Sequence, residues 1–131
     1  LAIFVFGERF RKVKAFGESY RHTRARIGGV GNLGGTVLSP CLEAVHRMMM
    51  AYANGHKKVV VIVSDFIVSD QTQTLEQLKL MRKDGIIPVG VGYCSTDLPH
   101  VRKYTGRNST YVCDISQLPD LFFDVYRRAT T

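Results

Sequence analysis

Five consecutive β-branched residues, Val59-Val60-Val61-Ile62-Val63, constrain the fold more than any other stretch of the chain. β-Branched side chains favour strands. Alternate residues of a strand point to opposite sides, so an unbroken apolar run buries both of its faces. The run therefore predicts a strand inside a mostly parallel sheet, with helices covering both sides.

The flanking segments agree. "LAIFVF" (1–6) reads as a buried strand, and "RFRKVKAF" (9–16) as an edge strand guarded by cations. Residues 17–35 are polar and Gly-rich, hence loop. From Val37 to Asn54 the apolar residues Leu38, Leu42, Val45, Met49 and Tyr52 recur at helical spacing, with Pro40 in the first turn and Gly55 as the stop. In that helix Met48-Met49-Met50 reads as packing plus one exposed face, not as a soft-metal box. "TLEQLKLMRKDG" (74–85) is a second helix, "IIPVGVGY" (86–93) a strand and "DLPHVRKYTG" (97–106) a short helix. "STYVCDI" (109–115) is the last strand, and 116–130 a closing helix with Ser116 as its N-cap. This order predicts one α/β domain over residues 1–131, doubly wound, its sheet mostly parallel.

Composition removes several function classes. The apolar runs are too short for a membrane-spanning helix. The chain opens on a strand-like run and not on a secretory h-region. Cys41, Cys94 and Cys113 are odd in number and lack C-x-x-C spacing, which argues against a disulfide framework or structural zinc. Reduced thiols and a cytoplasmic location are the expectation. Cys94, at a strand end, is expected to be packed rather than reactive. His22, His46, His56 and His100 show no ligand spacing and read as surface or loop residues, and Ser39 and Ser64 have no triad partners.

The net charge of +7 is concentrated. Arg9, Arg11, Lys12, Lys14, Arg21, Arg24 and Arg26 face only Glu8 and Glu18 across residues 8–26, a local excess of +5. Without stacking aromatics or a reader motif, this stretch is expected to meet an acidic protein surface, not nucleic acid. Arg21, Arg24 and Arg26 are the candidate partner-binding residues.

Gly29-Val30-Gly31-Asn32-Leu33-Gly34 spells the dinucleotide fingerprint G-x-G-x-x-G. The fingerprint needs a buried strand before it and an acidic residue ending the next strand. "YRHTRARI" precedes it and Lys57-Lys58 opens the next strand, so the context is wrong. The glycines serve a loop that leads into the helix at 37. Thr36 then falls at the C-terminal edge of the sheet, where open α/β folds bind ligands. "SDFIVSD" places Asp65 at the same edge, with Asp70 five residues on. A hydroxyl and a carboxylate from adjacent loops can hold a hard cation such as Mg²⁺, which keeps several of its waters; the bland alternative is a helix cap and a strand end.

These stretches in this order resemble the von Willebrand factor type A domain family. "LAIFVFGERFRKV" is similar to its second strand and hairpin, "GNLGGTVLSPCLEAV" to its threonine loop and helix, and "VVVIVSDFIVSD" to the strand closing on T-D-G-x-x-x-D. The resemblance is nearest to the carboxy-terminal domains that accompany MoxR-type AAA+ ATPases, such as the cobaltochelatase subunit and the nitric oxide reductase activation protein. It implies a Rossmann-like fold and a metal-ion-dependent adhesion site, to which Thr36 and Asp65 supply two of three ligand loops. The first ligand motif, D-x-S-x-S, is missing from the chain, and Phe66 stands where a glycine usually follows the aspartate. The central first strand that carries the motif is missing too. That implies the C-terminal part of a longer protein, a strand supplied by another chain, or a rearranged sheet.

The implied function is a protein-binding module using Mg²⁺, with no catalytic site of its own. The alternatives are an accessory subunit working with an AAA+ ATPase in metal insertion or enzyme maturation, and a metal-free structural scaffold.

Overall fold

Strand β3, Lys58–Ser64, contains the valine run and extends it by one residue at each end. It belongs to a computed structural model that describes residues 3–6, 10–14, 37–52, 55, 57–93, 96–113, 115–117, 120, 124 and 127. The chain divides into two units, residues 1–54 with 68–74 and residues 55–67 with 75–131.

In the first unit, β1 (Ile3–Phe6) and β2 (Phe10–Lys14) form an antiparallel hairpin. Phe6 pairs with Phe10 and Val5 with Arg11, and the register slips between Ile3 and Phe4. Helix α1, Ser39–Tyr52, packs on β2. Leu38, Cys41, Leu42 and Met49 bury one helical stripe, while Met50 is exposed on the other side.

The second unit holds a parallel sheet in the order β3–β4–β5, with β4 at Ile86–Tyr93 and β5 at Ser109–Val112. Val59, Val61 and Val63 lie beside Ile87, Val89 and Val91. Both faces of β4 are buried, whereas the expectation of two buried faces holds only in part for the valine run of β3: Val60 and Ile62 are buried, but Val59 and Val61 are half-buried and Val63 is exposed. Helix α3, Leu98–Thr105, packs on β4 and β5 through Val101, Tyr104 and Thr105. Gly90 and Gly92 permit that approach. A Cβ on Gly90 would overlap the Thr105 hydroxyl, and one on Gly92 a Val101 methyl. Asp97 caps α3 by accepting the His100 amide, and Gly106 closes it at φ 57°. The doubly wound α/β expectation is met.

Three expected boundaries move. Helix α2 runs Gln71–Lys83 and so starts before Thr74, because the Asp70 carbonyl already accepts the Thr74 amide. Its buried stripe is Thr74, Leu78 and Met81. Strand β5 stops at Val112 because Cys113 turns out to solvent in a bend. Ser116 lies within a 3-10 turn, Ile115–Gln117, rather than capping a helix. Asp120, Asp124 and Arg127 are helical, and the rest of the closing helix lies outside the described residues.

β3 is an edge of its sheet: its side away from β4 has no strand pairing among the described residues. Cover on its face also thins there. Val63 is 39% exposed while its register partner Val91 is fully buried.

Candidate functional site

The C-terminal end of β3 turns abruptly into its loop. Ser64 is buried, and its hydroxyl accepts the Phe66 amide at 3.0 Å. The half-buried Asp65 carboxylate accepts the Ile67 amide at 3.0 Å through Oδ1. Both are side-chain-to-backbone turns of the kind Ser and Asp form when a strand ends. The second Asp65 oxygen, Oδ2, has no partner among the described residues. Asp65 thus stands at the sheet edge the sequence assigned it, with one oxygen committed and one available.

Between them Phe66 sits at φ 58°, the left-handed region. A bulky residue there stores about 1–3 kcal/mol of strain. Its ring is fully buried and lies 5.3 Å from the Tyr104 ring. Burying a phenylalanine contributes roughly 1.5–3 kcal/mol, enough to offset the strain. The Phe66 carbonyl accepts a bond from His100 Nε2 at 2.7 Å, and the His100 ring meets Tyr104 edge-on at 5.7 Å. A left-handed backbone explains why glycine suits this place in the resembling family. Here packing replaces conformational freedom.

His100 is therefore neither a plain surface residue nor a loop residue. It is half-buried in α3 and ties that helix to the Asp65 loop. Ile67, Thr96, Asp97 and His100 line an open cleft of about 280 Å³ beside this loop.

Asp70 is committed elsewhere. Its Oδ1 accepts the Leu38 amide at 3.0 Å and its Oδ2 the Ser39 amide at 2.7 Å, while the Thr74 hydroxyl donates to Oδ1 at 3.3 Å. It caps α1 from a loop more than thirty residues away in sequence. Burial pushes its carboxyl up, but hydrogen bonds from Ser39 and Leu38 outweigh this and hold it below the ordinary value.

Thr36, Arg21, Arg24 and Arg26 lie outside the described residues, as do the Gly29–Gly34 stretch and Cys94. Among the described residues, no three His, Cys, Asp or Glu side chains converge as a metal site. A carboxylate oxygen suits a hard cation, so the Asp65 chemistry fits Mg²⁺, but one carboxylate needs further oxygen ligands. No described helix is long and apolar enough to cross a membrane.

No family model matches the sequence. No curated protein matches it either. Solved structures do match in fold. Proximal thread matrix protein 1 from the mussel byssus, in a structure with a zinc-occupied MIDAS motif, aligns at TM-score 0.75 and 19% identity over 98% of this chain and 34% of its own. The manganese-loaded TRAP protein of Plasmodium vivax aligns at TM-score 0.77 and 12% identity, over 95% of this chain and 56% of its own. A von Willebrand factor type A structure from Catenulispora acidiphila aligns at TM-score 0.71 and 16% identity, over 98% of this chain and 32% of its own. The chain thus spans about a third of the mussel protein's length. With β3, β4 and β5 parallel and Asp65 at the sheet's C-terminal edge, the chain has the fold of a von Willebrand factor type A domain.

Proposed function

We propose that the chain is a protein-binding module that engages its partner through a divalent cation, Mg²⁺ by preference, at the C-terminal edge of the sheet. The observation that carries this reading is Asp65: a half-buried carboxylate at the end of β3, oriented by the Ile67 amide and keeping one oxygen uncommitted among the described residues. Thr36 is proposed as the second ligand. It precedes by two residues the Leu38 amide that Asp70 holds. One structural neighbour has a zinc-occupied MIDAS motif and another is manganese-loaded, which supports a divalent ion here. The cation would supply a positive centre that a partner carboxylate completes. Arg21, Arg24 and Arg26 would speed encounter with an acidic surface.

The side of β3 that has no strand pairing among the described residues supports a further strand beside it, from a preceding segment of the same protein or from another chain. Such a strand would bring the missing ligands to Asp65. The resemblance to domains that accompany MoxR-type ATPases supports a partner within an ATPase-driven complex, in which this module binds and does no chemistry of its own. Co-elution with a hexameric ATPase is the test of that setting.

The cation reading is tested by calorimetric titration of Mg²⁺ and Mn²⁺ into the full protein. Binding should be lost in Asp65→Ala and weakened in Thr36→Ala. Binding that neither change affects would overturn the assignment.

A further inference from the structure

The cleft beside the Asp65 loop has a donor and acceptor inventory of its own. A carbonyl oxygen can only accept, so the bond between His100 Nε2 and the Phe66 carbonyl fixes the proton on Nε2. The other ring nitrogen, Nδ1, is then an acceptor in the neutral imidazole. Asp97 uses Oδ1 on the His100 amide at 2.9 Å, and its Oδ2 has no partner among the described residues. Thr96 Oγ1 is buried, with no hydrogen-bond partner among the described residues, so Thr96 lines the cleft without offering it an accessible acceptor. Ile67, also in the described lining, is apolar and 52% exposed. Among the described residues the lining therefore combines the Asp97 carboxylate and the His100 ring with an apolar side. The basic residues of α3, Arg102 and Lys103, lie in its last turn, at the opposite end from Asp97.

We infer that this cleft receives a cationic side chain, an arginine by preference, from a partner protein. The guanidinium offers five donors in a planar fork and can serve several separated acceptors at once. Its aliphatic stem covers Ile67, and its charge meets Asp97. On a chain of net charge +7, a negative cleft selects partner residues that the rest of the surface repels. The partner is thus of mixed charge: acidic toward the basic segment, with an arginine for this cleft. This recognition needs no metal and stands apart from the cation reading.

The test is a titration of the ¹⁵N-labelled chain with N-acetyl-arginine amide, N-acetyl-lysine amide and N-acetyl-glutamate amide in EDTA, followed by amide shifts. Arginine should shift Ile67, Thr96, Asp97 and His100 together, lysine less, and glutamate not at all. Asp97→Asn keeps the helix cap and removes the charge. It should weaken arginine binding about tenfold, and its spectrum elsewhere reports that folding is intact. Glutamate binding as well as arginine, no shifts at these residues, or unchanged affinity in Asp97→Asn would each overturn the inference. Because EDTA is present throughout, the outcome is independent of whether Asp65 holds a cation.

Discussion

The Asp70 carboxylate accepts the Ser39 amide at 2.7 Å across thirty-one residues of sequence. With the Leu38 bond, it satisfies two of the amides that the start of α1 would otherwise leave unpaired. Asp70→Ala should therefore cost about 1–3 kcal/mol in urea unfolding, the range for losing a cap and stranding its amides.

The same carboxylate sets an acid response. Its folded-state value lies below the ordinary one because the bonds from Ser39 and Leu38 outweigh burial. Its stabilisation is full above the unfolded value, about pH 4, and is lost as pH falls through the lower folded value. Below about pH 4 the stability gap between the native chain and Asp70→Asn should narrow, as read from denaturation midpoints across pH. A gap constant down to pH 2 would show that the charge carries none of it.

Phe66 should invert the usual order of small substitutions. Phe66→Ala removes the buried ring, a loss of about 3–5 kcal/mol, and keeps the left-handed strain. Phe66→Gly loses the same ring but relieves the strain. The glycine variant should be the more stable of the two by about 1 kcal/mol, where in a helix or strand glycine is the worse choice. Thermal unfolding of the pair decides it.

Cysteine chemistry separates two described thiols. Cys41 is buried in α1, and burial pushes its pKa up to about 12. Cys113 is exposed. Iodoacetamide followed by peptide mapping should label Cys113 in the native protein and Cys41 only after unfolding. Native labelling of Cys41 at a comparable rate would contradict its burial.

The 131-residue chain alone should bind Mg²⁺ weakly or not at all. One described carboxylate and a hydroxyl leave too little charge to offset dehydration of a reluctant ion. Tight binding in calorimetry would mean that ligands other than Asp65 and Thr36 complete the site.

Periodicity made the architecture legible because strands and helices are local patterns. The valine run, "IIPVGVGY" and the α3 segment emerged within a residue of their expected bounds. Boundaries failed where a polar contact decides them. Gln71-Thr72-Gln73 shows no apolar stripe, so nothing in its composition announces a helix that Asp70 starts. Asp65 was legible as a strand-end acid. Its surroundings were not, since the bond from His100 to Phe66 joins residues thirty-four apart and leaves no periodic trace. The one available clue to Phe66 was its place where glycine is usual, which signals a left-handed backbone.

The bare side of β3 also bears on how this chain behaves at high concentration. Amides and carbonyls without a strand partner among the described residues, beside half-covered valines, form a template to which a second copy can add a strand. Lys57 and Lys58 guard only its beginning, leaving the stretch toward Val63 without a charged gatekeeper. Produced alone, the chain should self-associate as concentration rises, and a charge placed at Val63 should raise its solubility at little cost in stability.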